Sequence, residues 1–217
     1  MARTLTDQRH GAIGPVVYQG GRYGTVARAR VTPINPRTIN QQNARSILAT
    51  VASEWRGLTD AVREAWKALG AQMPGKIGGF QAYVRINATL VTCGLAKKEE
   101  PPLIPALGII TCDGLSADDT PLVTLKGVVD TVAPDKFLVE AVRPVSPGIN
   151  NVNAHFRLID VVAGHAAPAV DLDLTEAYTG RFGAPVLGQR ISVRITPMKD
   201  GFKGIPLGYS AIVAAKA

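Results

Sequence analysis

From Thr38 onward, apolar residues recur at helical spacing. Ala44, Ile47, Leu48, Val51 and Trp55 fall on one stripe, and Thr38 followed three residues later by Gln41 has the form of a capping box. A first helix is therefore predicted from Thr38. After the Arg56-Gly57-Leu58 break, a second begins at Thr59 or Asp60, with Val62, Trp66 and Leu69 on its inner face; it stops near Gly70, before the Pro74-Gly75 turn. A third is predicted from about Gly79 to Cys93, with Phe80, Tyr83, Val84, Asn87, Leu90 and Val91 on or near one face. Trp55, Trp66, Phe80 and Tyr83 lie on these stripes and are the candidate helical core.

On either side of the helices the period changes. Residues 12–32 read as extended: Ile13, Val16, Val17 and Tyr18 lead to Gly20-Gly21, and Tyr23, Val26, Ala27 and Val31 return, the pattern of a hairpin turning at Gly-Gly. Arg22, Arg28 and Arg30 lie on the returning arm, the last two on one face at period 2. Pro33-Ile34-Asn35-Pro36 fixes the exit toward the first helix. Later, Leu107–Thr111, Leu122–Val129, Lys136–Val142, Asn153–Val162, Arg190–Thr196 and Tyr209–Val213 are short β-prone runs. They are separated by turn residues such as Asp113-Gly114, Ser146-Pro147-Gly148 and Asp200-Gly201. Leu174–Arg181 reads as a helical insertion capped by Thr175. Between the two halves, Ala96-Lys97-Lys98-Glu99-Glu100-Pro101-Pro102 has the composition of a linker. The expected organisation is α+β: a basic extended arm or hairpin at 1–37, a three-helix domain at 38–95, a linker at 96–103 and an immunoglobulin- or fibronectin-like β-sandwich at 104–217.

Charge sharpens this division. Residues 1–98 hold 14 Lys/Arg against 4 Asp/Glu, a net of +10, whereas residues 99–217 hold 10 against 13, a net of −3. Such a chain can meet nucleic acid through its head or pack against copies of itself. Apolar runs fall short of a membrane span, and the polar start Met1–His10 lacks the pattern of a secretory signal, so synthesis in the cytoplasm is expected.

Chemistry-bearing constellations do not emerge. His10, His155 and His165 form no metal pair or base–nucleophile arrangement, and the glycine-rich start lacks phosphate-loop spacing. Asp171 and Asp173 flank Leu172 but supply too few oxygens for a calcium loop, and Asp118-Asp119 lies in a loop. Cys93 and Cys112 match no zinc spacing and are expected as free thiols. Neither catalysis, a metal nor a cofactor is expected.

The segment Arg28-Ala29-Arg30-Val31-Thr32-Pro33-Ile34-Asn35-Pro36-Arg37-Thr38 with Gln41-Gln42, then Trp55-Arg56-Gly57-Leu58-Thr59-Asp60, Ala65-Trp66 and Gly79-Phe80-Gln81-Ala82-Tyr83, resembles a group of tailed-phage and prophage proteins. The resemblance covers residues 11–90 and carries no catalytic residue. It implies a component of a virion, made in the host cytoplasm: a head-decoration, head-surface or connector protein contacting itself and other virion proteins. In that reading Arg22, Arg28, Arg30 and Arg37 are docking charges, and Pro33, Asn35 and Pro36 set the exit of the arm. The alternative expectation is a DNA-binding or DNA-packaging accessory using the same arginines.

Overall fold

A computed structural model describes residues 3–4, 10–21, 24–32, 35, 37–118 and 123–215. It divides into two compact units, Met1–Asn43 and Ala44–Ala217. The protein is mixed α+β, with a β-sandwich-like part.

The first unit is an antiparallel sheet of β1 (Arg3–Thr4), β2 (Gly11–Ile13), β3 (Val16–Gly21) and β4 (Gly24–Ala29), in the order β1-β4-β3-β2. Gly14, at a φ of 56°, makes the turn between β2 and β3 with Pro15. The expected hairpin is present, but Gly20 and Gly21 belong to its strand: Gly21 pairs with Gly24, so the connection is residues 22–23, outside the described residues. The register Ile13↔Val16↔Ala29 and Tyr18↔Ala27 puts these five residues on one face. Val17↔Arg28 and Gln19↔Val26 occupy the other.

Next comes α1 (Ile39–Trp55), followed by α2 (Asp60–Gln72) and α3 (Gly79–Thr92). Their starts are the predicted ones. Thr38 Oγ1 accepts from Gln41 N at 3.4 Å, Thr59 Oγ1 accepts from Val62 N at 3.4 Å, and Gln81 Oε1 accepts from Gly78 N at 3.1 Å.

The remaining strands are β5 (Ile110–Thr111), β6 (Gly114–Ala117), β7 (Val123–Asp130), β8 (Lys136–Val145), β9 (Arg157–Ala163), β10 (Val170–Asp173), β11 (Arg190–Lys199), β12 (Phe202–Lys203) and β13 (Leu207–Ile212), with α4 (Thr175–Phe182) after β10. In the smaller sheet β7 is central, with β10 on one side and β5 and β6 on the other. In the larger, β9-β8-β11 continues to β12 and β13, which share the far side of β11. Val123, Leu125 and Val128 of the small sheet meet Phe137, Val139, Ile191, Val193 and Ile195 of the large one in one core. At one corner Ala214 N donates to Ala117 O at 3.1 Å and ties the sheets together.

A second core lies on the opposite face of the large sheet. There Leu138 and Met198 join Val51, Trp66, Leu69, Ala82, Tyr83, Ile86 and Leu90, with Leu158, Val161 and Phe202 packed alongside. Helices, large sheet and small sheet thus form three layers within 44–217, so the segment 96–103, expected as a linker, lies inside one compact unit. It is bound in place. Buried Asn87 donates Nδ2–H to Lys98 O at 3.0 Å and accepts from Lys98 N at 2.7 Å, and Trp66 Nε1 donates to Glu99 O at 2.6 Å. A lone side-chain amide closes both backbone groups of Lys98, as a strand partner would.

Other expectations change in detail. Asn153–His155 is a 3-10 turn and the strand begins only at Arg157. Thr175 is not the cap of α4: its N–H is accepted by Asp173 Oδ1 at 2.9 Å, and its own Oγ1 accepts from Val123 N at 3.0 Å.

Candidate interaction surface

The N-terminal sheet has two unlike faces. Ile13, Val16, Tyr18, Ala27 and Ala29 form one with no charge, while Arg28 stands on the other. Arg30 follows the end of β4, its N–H donating to Pro15 O at 2.7 Å, and its side chain is exposed. Among the described residues of this unit only Thr25 is buried. Ile13 remains 58% exposed and Val31 81%.

The chain then leads into α1. Asn35 Oδ1 accepts from Arg37 N at 3.3 Å, Arg37 takes a left-handed φ of 48°, and Thr38 caps the helix. Arg37 is exposed, as are Ile39 and Leu48 on α1. Of the expected docking residues, Arg28, Arg30, Asn35 and Arg37 are thus placed, three of them as exposed cations. Arg22, Pro33 and Pro36 lie outside the described residues.

The expected helical core divides. Trp66 and Tyr83 are fully buried, with ring centroids 5.2 Å apart, and Trp55 is half-buried 5.4 Å from Tyr83. Phe80, expected in this core, is instead 44% exposed and touches Trp55 edge-on at 5.8 Å. It sits in the first turn of α3.

Several titratable groups are bound into the fold. His165 Nε2 lies 2.9 Å from Val128 O with its ring edge-on to Phe137. Asp173 is held below the usual carboxylate range by the hydroxyl and N–H of Thr175. Cys93 and Cys112 are free thiols, both pushed up chiefly by burial. Among the described residues no three His, Cys, Asp or Glu side chains are grouped to hold a metal, and no helix is long and apolar enough to cross a membrane.

Sequence reading does not reveal the Asn87 clasp on Lys98, the Trp66 bond to the Glu99 backbone or the Glu54–Lys97 pair. These contacts join residues far apart in the chain and leave no periodic trace. The chain is thus a mixed α+β protein with a two-faced N-terminal sheet and a three-layer unit containing a β-sandwich-like part. It matches no known protein family, no curated protein and no solved structure.

Proposed function

We propose that this chain is a structural component of a tailed-phage particle, a head-decoration, head-surface or connector protein working through protein–protein contacts of its N-terminal sheet and β domain. The observation that carries the reading is the four-stranded sheet in which only Thr25, among the described residues, is buried. A sheet needs an apolar face covered to be stable, and a segment this short buries little by itself. Its uncharged face supplies the surface to cover, and fully burying a side chain such as Ile13 contributes about 1.5–3 kcal/mol. The opposite face and the exit to α1 present Arg28, Arg30 and Arg37 to an acidic neighbour. The resemblance of residues 11–90 to phage proteins supplies the setting.

Two measurements test this. Peptides of the chain should be found in gradient-purified particles; their absence sinks the virion assignment. Sedimentation of the full chain should show concentration-dependent oligomers that persist at high salt and are weakened by Ile13→Asp and Val31→Asp. A chain that stays monomeric, binds DNA at low salt and releases it at high salt would establish the nucleic-acid reading instead.

A further inference from the structure

A cavity of about 580 Å³ opens where the end of α1, the start of α2 and the pinned segment 97–99 meet, lined by Glu54, Leu58, Val62, Tyr83, Lys97 and Glu99 among others. Its floor is Tyr83, which is 1% exposed and held between Trp55 and Trp66 at 5.4 and 5.2 Å. Ring packing therefore fixes the phenol, and its hydroxyl makes no hydrogen bond among the described residues. Glu54 is paired with Lys97. Glu99 is positioned through its backbone by the Trp66 indole, and its carboxylate makes no ion pair among the described residues. Burial first, then the charges of Glu54 and Glu99, raise the Tyr83 phenol above its ordinary range, so both carboxylates lie within electrostatic reach of it.

We propose that this cavity receives the guanidinium group of an arginine side chain presented by the N-terminal segment of a second copy of this chain. The chemistry selects a cation with several donors and apolar faces. Glu99 and the phenol accept hydrogen bonds, Leu58 and Val62 offer an apolar wall, and a guanidinium is planar, weakly hydrated and forked. A carboxylate ligand would meet Glu99 with no cation beside it, since Lys97 is taken up by Glu54, and a purely apolar one would leave the phenol unpaired. The second copy is chosen by composition: residues 1–43 hold six arginines, no lysine and a single acid, Asp7. Arg28, Arg30 and Arg37 of that segment are exposed. The inference rests on the arm-docking reading and names its receptor.

The full-length chain tests it in two ways. Its only two tryptophans both pack on Tyr83, so intrinsic fluorescence reports occupancy of the cavity. N-acetyl-argininamide should give a saturable change in the millimolar range, about tenfold weaker with the uncharged citrulline analogue and with Glu54→Gln/Glu99→Gln. Tyr83→Phe, which keeps the ring packing, should weaken binding in the same direction. No saturable change, or an equal response to citrulline, overturns the assignment. In sedimentation, Arg28→Gln/Arg30→Gln/Arg37→Gln and Glu54→Gln/Glu99→Gln should weaken self-association alike, and their combination should add little. If the arginine variant weakens association and the cavity variant does not, the cavity assignment fails while arm docking stands. A wild-type chain monomeric at every concentration overturns both.

Discussion

Replacing Asn87 by alanine should loosen the connector from the helices. The side chain is fully buried and makes two hydrogen bonds with the Lys98 backbone, at 3.0 and 2.7 Å. Each is worth about 0.5–1.5 kcal/mol net, and a partner left without a substitute costs about 1–3 kcal/mol more. Lys98 is half-buried, so water can reach its freed groups and offset part of that second amount. The expected loss is about 2–3 kcal/mol. Urea unfolding followed by tryptophan fluorescence reads it directly, because Trp66 donates to the neighbouring Glu99 carbonyl. The midpoint should fall with little change in slope. Asn87→Asp adds a sign test: it keeps the acceptor for Lys98 N–H but turns a carboxylate oxygen toward Lys98 O. Its deficit relative to wild type should shrink as pH falls and the carboxyl becomes a donor. A loss below about 0.5 kcal/mol for Asn87→Ala would refute the claim that this amide holds the connector.

Three further outcomes follow from local geometry. Gly201→Ala should cost about 1–3 kcal/mol in the same unfolding assay, because φ is +83° and a Cβ would stand 2.6 Å from Ile86 Cγ2. Tyr178→Phe removes the buried bond to Val142 O at 2.9 Å and should cost about 1–2 kcal/mol near neutral pH. Burial pushes the Tyr178 hydroxyl far above its ordinary range, so its contribution is full below about pH 10 and fades as pH rises beyond; stability measured against pH should fall more steeply there for wild type than for Tyr178→Phe. Cys93, raised by burial against the opposing pull of Lys203 and Lys136, should react with a thiol reagent only slowly until urea is added; rapid stoichiometric labelling of the native chain would contradict its burial.

The helices were legible because each carries its own punctuation: Thr38, Thr59 and the Gly78–Gln81 pair cap starts that apolar spacing then continues. Asp200-Gly201 was legible for the same reason. Both take positive φ, 53° and 83°, between paired Lys199 and Phe202, as a two-residue hairpin turn requires. Strands β6, β10 and β12 were missed, since two to four residues are too few to show a period, and Gly114 and Ser116 weaken the signal further. Gly20-Gly21 misled because glycine permits a turn without compelling one, and the pairing of Gly20 with Thr25 carries the strand past it. The exposed arginines Arg28, Arg30 and Arg37 could be read from the sequence, whereas Tyr83 was read as core packing alone, its hydroxyl being invisible to a pattern of apolar positions.

The hidden feature with the largest consequence is the docking of helices on the large sheet. β11 shows why sequence pattern misses it. Ile191, Val193 and Ile195 alternate with Ser192, Arg194 and Thr196, which reads as a strand wet on one face. Yet Ser192 and Thr196 are buried, and Arg194 is covered locally: it pairs with Glu140, directly opposite on β8, at 2.7 Å and lies 4.4 Å from the Phe156 ring. On the two central strands the helices meet one apolar position each, Leu138 and Met198, the other contacts coming from Leu158, Val161 and Phe202 toward the edges. That is too sparse to break the alternation, so the second buried face stays silent and the charged connector reads as a spacer. Beyond that apolar core, the contacts that tie connector, helices and sheet are single and specific: Asn87 to Lys98, Lys98 to Asp200, and Gly201 under Ile86. They also place Lys97 and Glu99 on the cavity, so its lining is set by features that periodicity cannot carry.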